Sequence, residues 1–433
     1  MNFVYGRPVR PEEFLGRESD LLAIFNRLGN KESTAIVGEP HIGKTSLLLL
    51  IADRDTQKLF LKDDAKKMVV FFKDLQPISA EYTPSEFWKE ALEPLQDRPG
   101  HSSIAARLKD VKEQGYSNNA LRKLFQNMGE RGQALVLLLD EFDRLLSHPN
   151  FKDPSFFAGM RSLSTITGGL VVITSSRLSV AEMNVKGHEL LGGNVNTSPF
   201  FNNFIQVKLR PFTSETVTKL LQRVPDTFTT QEIAFIRRVA GGHPFLLQAM
   251  AATLYETPKG VERPIQAAEM FYNRINFHFD TLWNALDDKA KTTAVILSLM
   301  DLDGYSAGST FSYGEIENTN AFDAELKSLA DLGLAEKVQD GQKIDLKRGL
   351  IWQGEKWTIG TQAFTWWVRD IVISKSRKLK EYDEWLTDKR YKLLLTEEQW
   401  TNLTKIVKSA PEFVTQGVSA LAKSIIKEIT GMK

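Results

Sequence analysis

The sequence predicts an α/β domain built on a five-stranded parallel sheet, followed by smaller helical domains. Five short apolar runs rich in β-branched residues fall within residues 1–212, and longer segments with helical periodicity separate them. Strands that alternate with helices in this way are typical of a parallel sheet with crossover helices. The five runs are residues 34–37, 68–72, 134–139, 170–174 and 205–209.

The pattern becomes helical after the last of these runs. Thr213 or Ser214 is suited to cap a first helix, and the pair Gly241-Gly242 separates two helical stretches farther on. A chain of 433 residues is about three times the length of a typical domain, so more than one core is expected. We therefore assign residues 213–282 to a small helical domain.

Residues 283–370 combine helices with one short hairpin. Helices followed by a hairpin of this size predict a winged-helix-like domain, with a polar turn directly after residue 338. The remaining tail, residues 371–433, ends in an amphipathic helix whose apolar positions run from residue 413 to residue 429. We expect this tail to be a helical segment separate in character from the preceding domain.

A glycine-rich loop joins the first predicted strand to the following helix. Glycines let the backbone approach a phosphate closely, and the amides at the helix N-terminus supply positive potential. Lys44 is expected to reach the β and γ phosphates of ATP or ADP, and the Thr45 hydroxyl to bind Mg²⁺. The expected nucleotide-binding residues are Gly38, Glu39, Pro40, His41, Ile42, Gly43, Lys44, Thr45 and Ser46.

Two carboxylates follow the third predicted strand, at the end where open α/β sheets bind ligands. Asp140 is expected to hold Mg²⁺ together with Thr45, and Glu141 to polarise the water that attacks the γ phosphate. The run 68–72 adds a strand beside the motif-bearing strands, an arrangement typical of the P-loop branch that uses a catalytic glutamate. The predicted fold class is thus a P-loop NTPase that, together with Glu141, resembles the ASCE type.

Two further positions are candidate contacts to nucleotide. Arg177 follows the fourth predicted strand, where a guanidinium is suited to sense the γ phosphate. Pro244 opens a helix after Gly241-Gly242-His243, and glycines there allow close approach of a ligand. The structural alternatives are a surface arginine and an ordinary turn between helices.

Four segments together resemble the STAND class of signalling ATPases, close to its archaeal-type, AAA-like branch, over residues 10–260. In that class Gly16 and Arg17 match the motif that flanks the adenine, Pro244 matches the lid proline, and Arg177 matches the sensor on strand four. The Met-His-Asp triplet of some relatives is not visible in residues 286–370. The segments are FLGRESD (14–20), LDEFD (139–143), TSSR (174–177) and GGHP (241–244).

The resemblance implies a molecular switch. ATPase domain, helical lid and winged helix would enclose ATP or ADP with Mg²⁺, and slow hydrolysis would control conformation, self-association or partner binding, in prokaryotic signalling or defence. Bulk composition neither favours nor opposes this, since 42% hydrophobic residues, 25% charged residues and a net charge of +1 are ordinary. The chain has no cysteine, no signal peptide pattern and no run of about 18 apolar residues, so a cytoplasmic protein is expected.

Two alternative hypotheses remain open. An ATP-dependent DNA-binding protein would use the winged helix and the basic segment 375–380, although a pI near 7.8 argues against a large basic surface. The tail helix, residues 411–430, would alternatively dock on a membrane or seal an oligomer, because lysines flank its apolar stripe. Packing of that helix onto the protein's own core is the favoured interpretation.

Overall fold

The computed structural model describes residues 3–96, 102–190, 199–302, 323–345, 350–376 and 417–431 of the chain. Contacts divide the protein into two compact units. The sheet unit comprises Pro8–Leu209, and the helical unit comprises Met1–Arg7 together with Arg210–Lys433. The division into four domains made from the sequence stays a prediction.

The sheet unit contains the expected parallel sheet, with all five strands at the expected places. The strand order is β2-β3-β4-β1-β5, and each neighbouring pair is parallel. Strand β4 therefore lies between β1, which leads into the glycine-rich loop, and β3, which ends at Asp140. The strands are β1 (Thr34–Val37), β2 (Met68–Asp74), β3 (Ala134–Asp140), β4 (Leu170–Ser176) and β5 (Ile205–Lys208).

Burial on both faces explains why β3 and β4 are continuous apolar runs rather than alternating ones. Leu135, Leu137 and Leu139 belong to the hydrophobic cluster on one face of the sheet. Val136 and Leu138 belong to the cluster on the other face. The sheet is therefore the middle layer of the unit, and its strand ends are the places where polar side chains can be presented.

Helices cover the sheet between successive strands. Among the described residues, no helix is both long and apolar enough to cross a membrane. The α-helices of the sheet unit are α1 (Glu18–Gly29), α2 (Lys44–Ala52), α3 (Arg54–Leu61), α4 (Pro84–Ala91), α5 (Ser102–Glu113), α6 (Asn118–Glu130), α7 (Asp143–Leu146), α8 (Ser155–Ile166) and α9 (Val180–Leu190).

The helical unit begins with the expected capped helix. The Thr213 side chain accepts a hydrogen bond from the Thr216 amide, and Val217, Leu220 and Leu221 are buried on one face. The elements of this unit are α10 (Ser214–Leu221), α11 (Thr230–Ala240), α12 (Pro244–Glu256), α13 (Arg263–Ala285), α14 (Asp288–Leu302), α15 (Asp323–Asp331), β6 (Ala335–Asp345), β7 (Leu350–Ile359), α16 (Gln362–Ser376) and α17 (Val418–Thr430).

The polar turn expected after residue 338 is instead part of a strand. Strand β6 continues through Asp345 and pairs with β7 in antiparallel register. The register shifts between Gln339 and Gln342, so the dipeptide Asp340-Gly341 occupies a β-bulge. The sequence signal was misread because polar residues with glycine suit a bulge as well as a turn. The connection between β6 and β7 lies outside the described residues.

The tail helix packs within the helical unit. Leu421, Ala422 and Ile425 of α17 are buried, and α17 contacts α11 and α13. Residues 377–416, which include the start of the predicted helix at residue 413, lie outside the described part of the chain. The buried apolar face favours packing onto the protein's own core, as preferred from the sequence.

A glycine substitution tests how closely α6 approaches the segment before β4. A Cβ at Gly169 would lie 1.9 Å from the Phe125 carbonyl oxygen, so Gly169→Ala is expected to destabilise the protein by about 1–3 kcal/mol or more. Gly29→Ala is the control, since its nearest neighbour would be Leu61 at 3.9 Å. Urea unfolding should separate the two variants; equal midpoints would contradict the described packing.

Candidate nucleotide-binding site

The glycine-rich loop is shaped by backbone geometry as well as by sequence. Gly43 has φ 105° and precedes the first residue of α2, so no side chain caps that helix N-terminus. A Cβ at Gly38 would lie 2.9 Å from the Ile42 side chain, which excludes larger residues. His41 has φ 63°, an uncommon conformation for a residue other than glycine. An uncapped helix N-terminus behind a close-fitting glycine loop suits an anionic ligand.

Lys44 lies across the loop. Its Nζ donates hydrogen bonds to the Gly38 carbonyl at 2.8 Å and to the Glu39 carbonyl at 3.1 Å. Burial lowers the pKa of Lys44, Glu141 opposes that shift, and Arg177 adds to it. The ammonium group is thus held at the loop by backbone carbonyls and partly stripped of water, which strengthens its attraction for phosphate oxygens.

Asp140 joins the loop to the sheet. The Thr45 hydroxyl donates a hydrogen bond to Asp140 Oδ2 at 2.6 Å, and the Ser175 hydroxyl donates to Asp140 Oδ1. A hydroxyl and a carboxylate are the oxygen ligands that Mg²⁺ prefers. Among the described residues, no group of three or more His, Cys, Asp or Glu is placed to hold a metal ion by itself. The Thr45 hydroxyl and the Asp140 carboxylate fit a Mg²⁺ ion and would be the residues that hold it.

Glu141 follows directly in a strained backbone conformation, with φ 51°. Its amide lies 3.2 Å from Asp140 Oδ1 and 3.3 Å from the Ser175 hydroxyl. Burial raises the pKa of Glu141, and Lys44 acts in the opposite direction. A partly buried carboxylate under the influence of the Lys44 charge is suited to accept a proton from an attacking water.

Gly16 and Arg17, expected to flank the adenine, lie beside the same loop. Both have left-handed backbone angles, with φ 75° and 68°. Arg17 Nη2 donates to the Ile42 carbonyl at 3.4 Å, and Arg17 Nη1 lies 3.8 Å from Asp20. Burial lowers the pKa of Arg17. The structure therefore brings these residues to the glycine loop; their contact with adenine stays a prediction.

Arg177 and Pro244 are placed differently. Arg177 follows β4 and is exposed; burial raises the pKa of Glu39 and Glu141, and the charge of Arg177 opposes that rise. Arg177 is thus electrostatically part of the site, as a sensor requires. Pro244 is the first residue of α12 and is buried in the helical unit. Its expected contact with nucleotide stays a prediction.

Sequence reasoning did not assign roles to Ser175 and Val9. Ser175 is fully buried, and its hydroxyl bonds to Asp140. The signal was present, since a serine at the end of an apolar strand needs a hydrogen-bonding partner. The Val9 amide donates to the Ser46 hydroxyl at 3.1 Å in the first turn of α2. No sequence pattern predicts this hydrogen bond, because its donor is a backbone amide.

Comparison with protein families supports this description of the site. A model described as an AAA-like domain matches residues 112–304, and a model described as an AAA domain matches residues 27–176. Each spans less than half of the chain. Among curated proteins, none matches the chain by sequence.

The chain is also similar to solved structures. The Walker-type ATPase of Pyrococcus abyssi has a TM-score of 0.51 and 16% identity, with 85% of this chain and 100% of that chain covered. The ORC2 protein of Aeropyrum pernix, in its ADPNP and ADP complexes, gives a TM-score of 0.44 and 13% identity over 86% of this chain and 98% of that chain.

The strand order, the Lys44 and Asp140 contacts and the matches to AAA-type domain models together indicate a P-loop ATPase. Residues 27–176 and 112–304 are similar to AAA and AAA-like domains, respectively. ATP or ADP is accordingly the expected nucleotide.

The partly buried Glu141 carboxylate should reduce stability at neutral pH. Because its folded pKa is raised above the ordinary 4.5, the penalty is absent below about pH 4.5 and is fully present above the raised pKa. Glu141→Gln should therefore melt at a higher temperature than wild type at neutral pH, with the difference vanishing in acid. Calorimetry across pH measures this, with exposed Glu113→Gln as the control. A pH-independent difference would contradict the assignment.

Proposed function

We propose that this protein is an ATP-binding, slowly hydrolysing switch of the STAND kind, whose nucleotide state controls conformation and self-association. The AAA-like ATPase site supports the first half of this proposal. The proposed control of conformation and self-association rests on one observation. The chain crosses between its two units twice, and in the sheet unit both crossings begin at residues hydrogen-bonded next to the glycine loop.

The two passages are the bonds Arg7–Pro8 and Leu209–Arg210. Within the sheet unit, the Val9 amide donates to the Ser46 hydroxyl at 3.1 Å, in the first turn of α2. The Leu209 amide donates to the Val37 carbonyl at 2.8 Å, directly before the loop. A shift at either end of the glycine loop would therefore displace a segment that leads into the helical unit.

Both connections also have contacts within the helical unit. In the helical unit, the Val4 amide donates to Gln248 Oε1 at 2.9 Å, and the Tyr5 ring meets the Phe245 ring with centroids 6.1 Å apart. The Phe212 amide donates to the Gly242 carbonyl at 2.8 Å. Short connections anchored at both ends transmit displacement, whereas long flexible linkers would absorb it. This arrangement supports a switch over an ATPase with independent units.

The chemistry proposed for the site follows from its charges. When bound, ATP would supply the phosphoryl group that is transferred to water, and Mg²⁺ would neutralise charge on the phosphates. Lys44 would neutralise charge on the phosphate oxygens, and Thr45 and Asp140 would hold the metal ion. Glu141 accepts the proton of the attacking water, and Arg177 donates to the developing negative charge. Positioning and charge neutralisation, rather than a covalent intermediate, lower the barrier.

The helical unit is proposed to supply the lid, through α10–α13, and the winged-helix-like domain, through α14–α16 and the β6–β7 hairpin. A role in prokaryotic signalling or defence is proposed on the family resemblance. The DNA-binding alternative stays a prediction, and salt-dependent binding of duplex DNA at low ionic strength is the measurement that decides it.

Two substitutions in the site test the switch. Lys44→Ala should weaken ATP binding roughly ten- to hundred-fold, because a buried charged donor is lost. Glu141→Gln should bind ATP normally but hydrolyse it about 10²–10⁴-fold more slowly. ATP binding and turnover would be measured, and the molar mass would be followed by light scattering. The exposed substitution Lys58→Ala is the control.

The mass measurement separates the outcomes. Assembly that depends on nucleotide, is lost in Lys44→Ala and persists longer in Glu141→Gln would establish an ATP-gated switch. Tight binding with an unchanged mass in all variants would refute nucleotide-controlled self-association and direct the search to DNA or a protein partner.

Lengthening the first connection tests its role. A Cβ at Gly6 would meet nothing within 4 Å, so a short Gly-Ser segment inserted after Gly6 should be tolerated. ATP binding should stay normal while the response of mass or shape to nucleotide is lost. The same segment inserted after Gly260, which is equally open, is the control. A full response in the Gly6 variant would show that this connection transmits nothing.

A further inference from the structure

Ser175 occupies a special register position. The pairing of β3 with β4 ends at Leu139 and Thr174, so Ser175 is the first β4 residue beyond the paired region. Its side chain is fully buried. A buried hydroxyl needs partners, and at this position the partners belong to the turn that carries Asp140 and Glu141.

Three contacts fasten Ser175 to that turn. The Ser175 hydroxyl donates to Asp140 Oδ1 and accepts from the Glu141 amide at 3.3 Å. The Ser175 carbonyl accepts from the Phe142 amide at 2.8 Å. A hydroxyl has one donor and two acceptor positions, so a single oxygen can serve both groups. One residue thereby contacts three consecutive residues of the neighbouring chain segment.

These contacts hold a conformation that is rarely populated. The Glu141 φ of 51° lies in the left-handed region, which non-glycine residues adopt only when the surroundings impose it. Asp140 is equally constrained, since Thr45 occupies its other oxygen, Oδ2. The direction of the Glu141 side chain is set by this turn, and the turn is fastened by Ser175.

We propose that Ser175 is a positioning residue for hydrolysis: it orients the Asp140 carboxylate toward the metal and fixes the turn that aims Glu141. This inference rests on the proposed ATPase function. Ser175 acts through these two residues and takes no part in the chemistry itself. A hydroxyl that only satisfied the strand end would affect stability and leave turnover unchanged.

Ser33 provides a matched control. It is also a buried serine, and its hydroxyl accepts a hydrogen bond from the Val172 amide of the same strand β4, at 3.1 Å. That contact lies at the opposite end of the strand from Asp140. Ser33→Ala therefore removes a comparable buried hydrogen bond without touching the turn.

The experiment compares Ser175→Ala, Ser175→Thr and Ser33→Ala. Ser175→Ala should lower kcat about 100-fold with little change in ATP affinity, as expected for misplacement of a reacting group. It should also raise the Mg²⁺ concentration needed for half-maximal binding of a fluorescent ATP analogue. Ser175→Thr, which keeps the hydroxyl, should recover most of the rate. Ser33→Ala should lose stability but keep kcat.

Each outcome decides the proposal. A Ser175→Ala enzyme with normal kcat and Mg²⁺ dependence, or losses equal to those of Ser33→Ala, would overturn it. If Ser175→Ala does not fold, Ser175→Cys replaces it, since a thiol is a weak donor. If the wild-type protein binds ATP without hydrolysing it, the proposed turnover fails. The Mg²⁺ titration then still tests whether Ser175 orients Asp140.

Discussion

The double hydrogen bond to the Asp140 carboxylate is the interaction on which the site depends. Asp140 is only 3% exposed, and a buried carboxylate is stable only when its oxygens have partners. Thr45 supplies one partner from α2 and Ser175 supplies the other from β4. The glycine loop, the strand that ends in Asp140 and the strand between them are thereby joined at one point. Removing Thr45 or Ser175 would take away one of these two bonds, and removing Asp140 would take away both.

The same site contains charges that burial disfavours. Burial lowers the pKa of Lys44 and Arg17 and raises the pKa of Glu39 and Glu141. In each case the folded protein favours the neutral form relative to water, which reduces stability at neutral pH. Such groups are retained at functional sites because weak hydration strengthens their interaction with an ionic ligand. A phosphate and its metal ion are ligands of that kind.

The sequence was a good guide wherever a feature depends on neighbouring residues. The five strands, the Thr213 cap and Pro244 as the first residue of its helix were all confirmed. Errors arose where one local signal fits two structures. Asp340-Gly341 was read as a turn but lies at a bulge, because the same residue types suit both. The apolar stripe of the tail helix left its partner open, and contacts with α11 and α13 identified it.

The sequence by itself determined the phosphate loop, the carboxylates after the third strand and the division into sheet and helical parts. These features depend on short motifs and on hydrophobic periodicity, which involve residues close to one another along the chain. Only the tertiary structure decided that β4 lies between β1 and β3, that Ser175 bonds to Asp140, and that Val9 is fixed to Ser46. The physical reason is distance along the chain. Thr45 and Asp140 are 95 positions apart, and packing of the whole sheet, rather than any local preference, brings them within 2.6 Å.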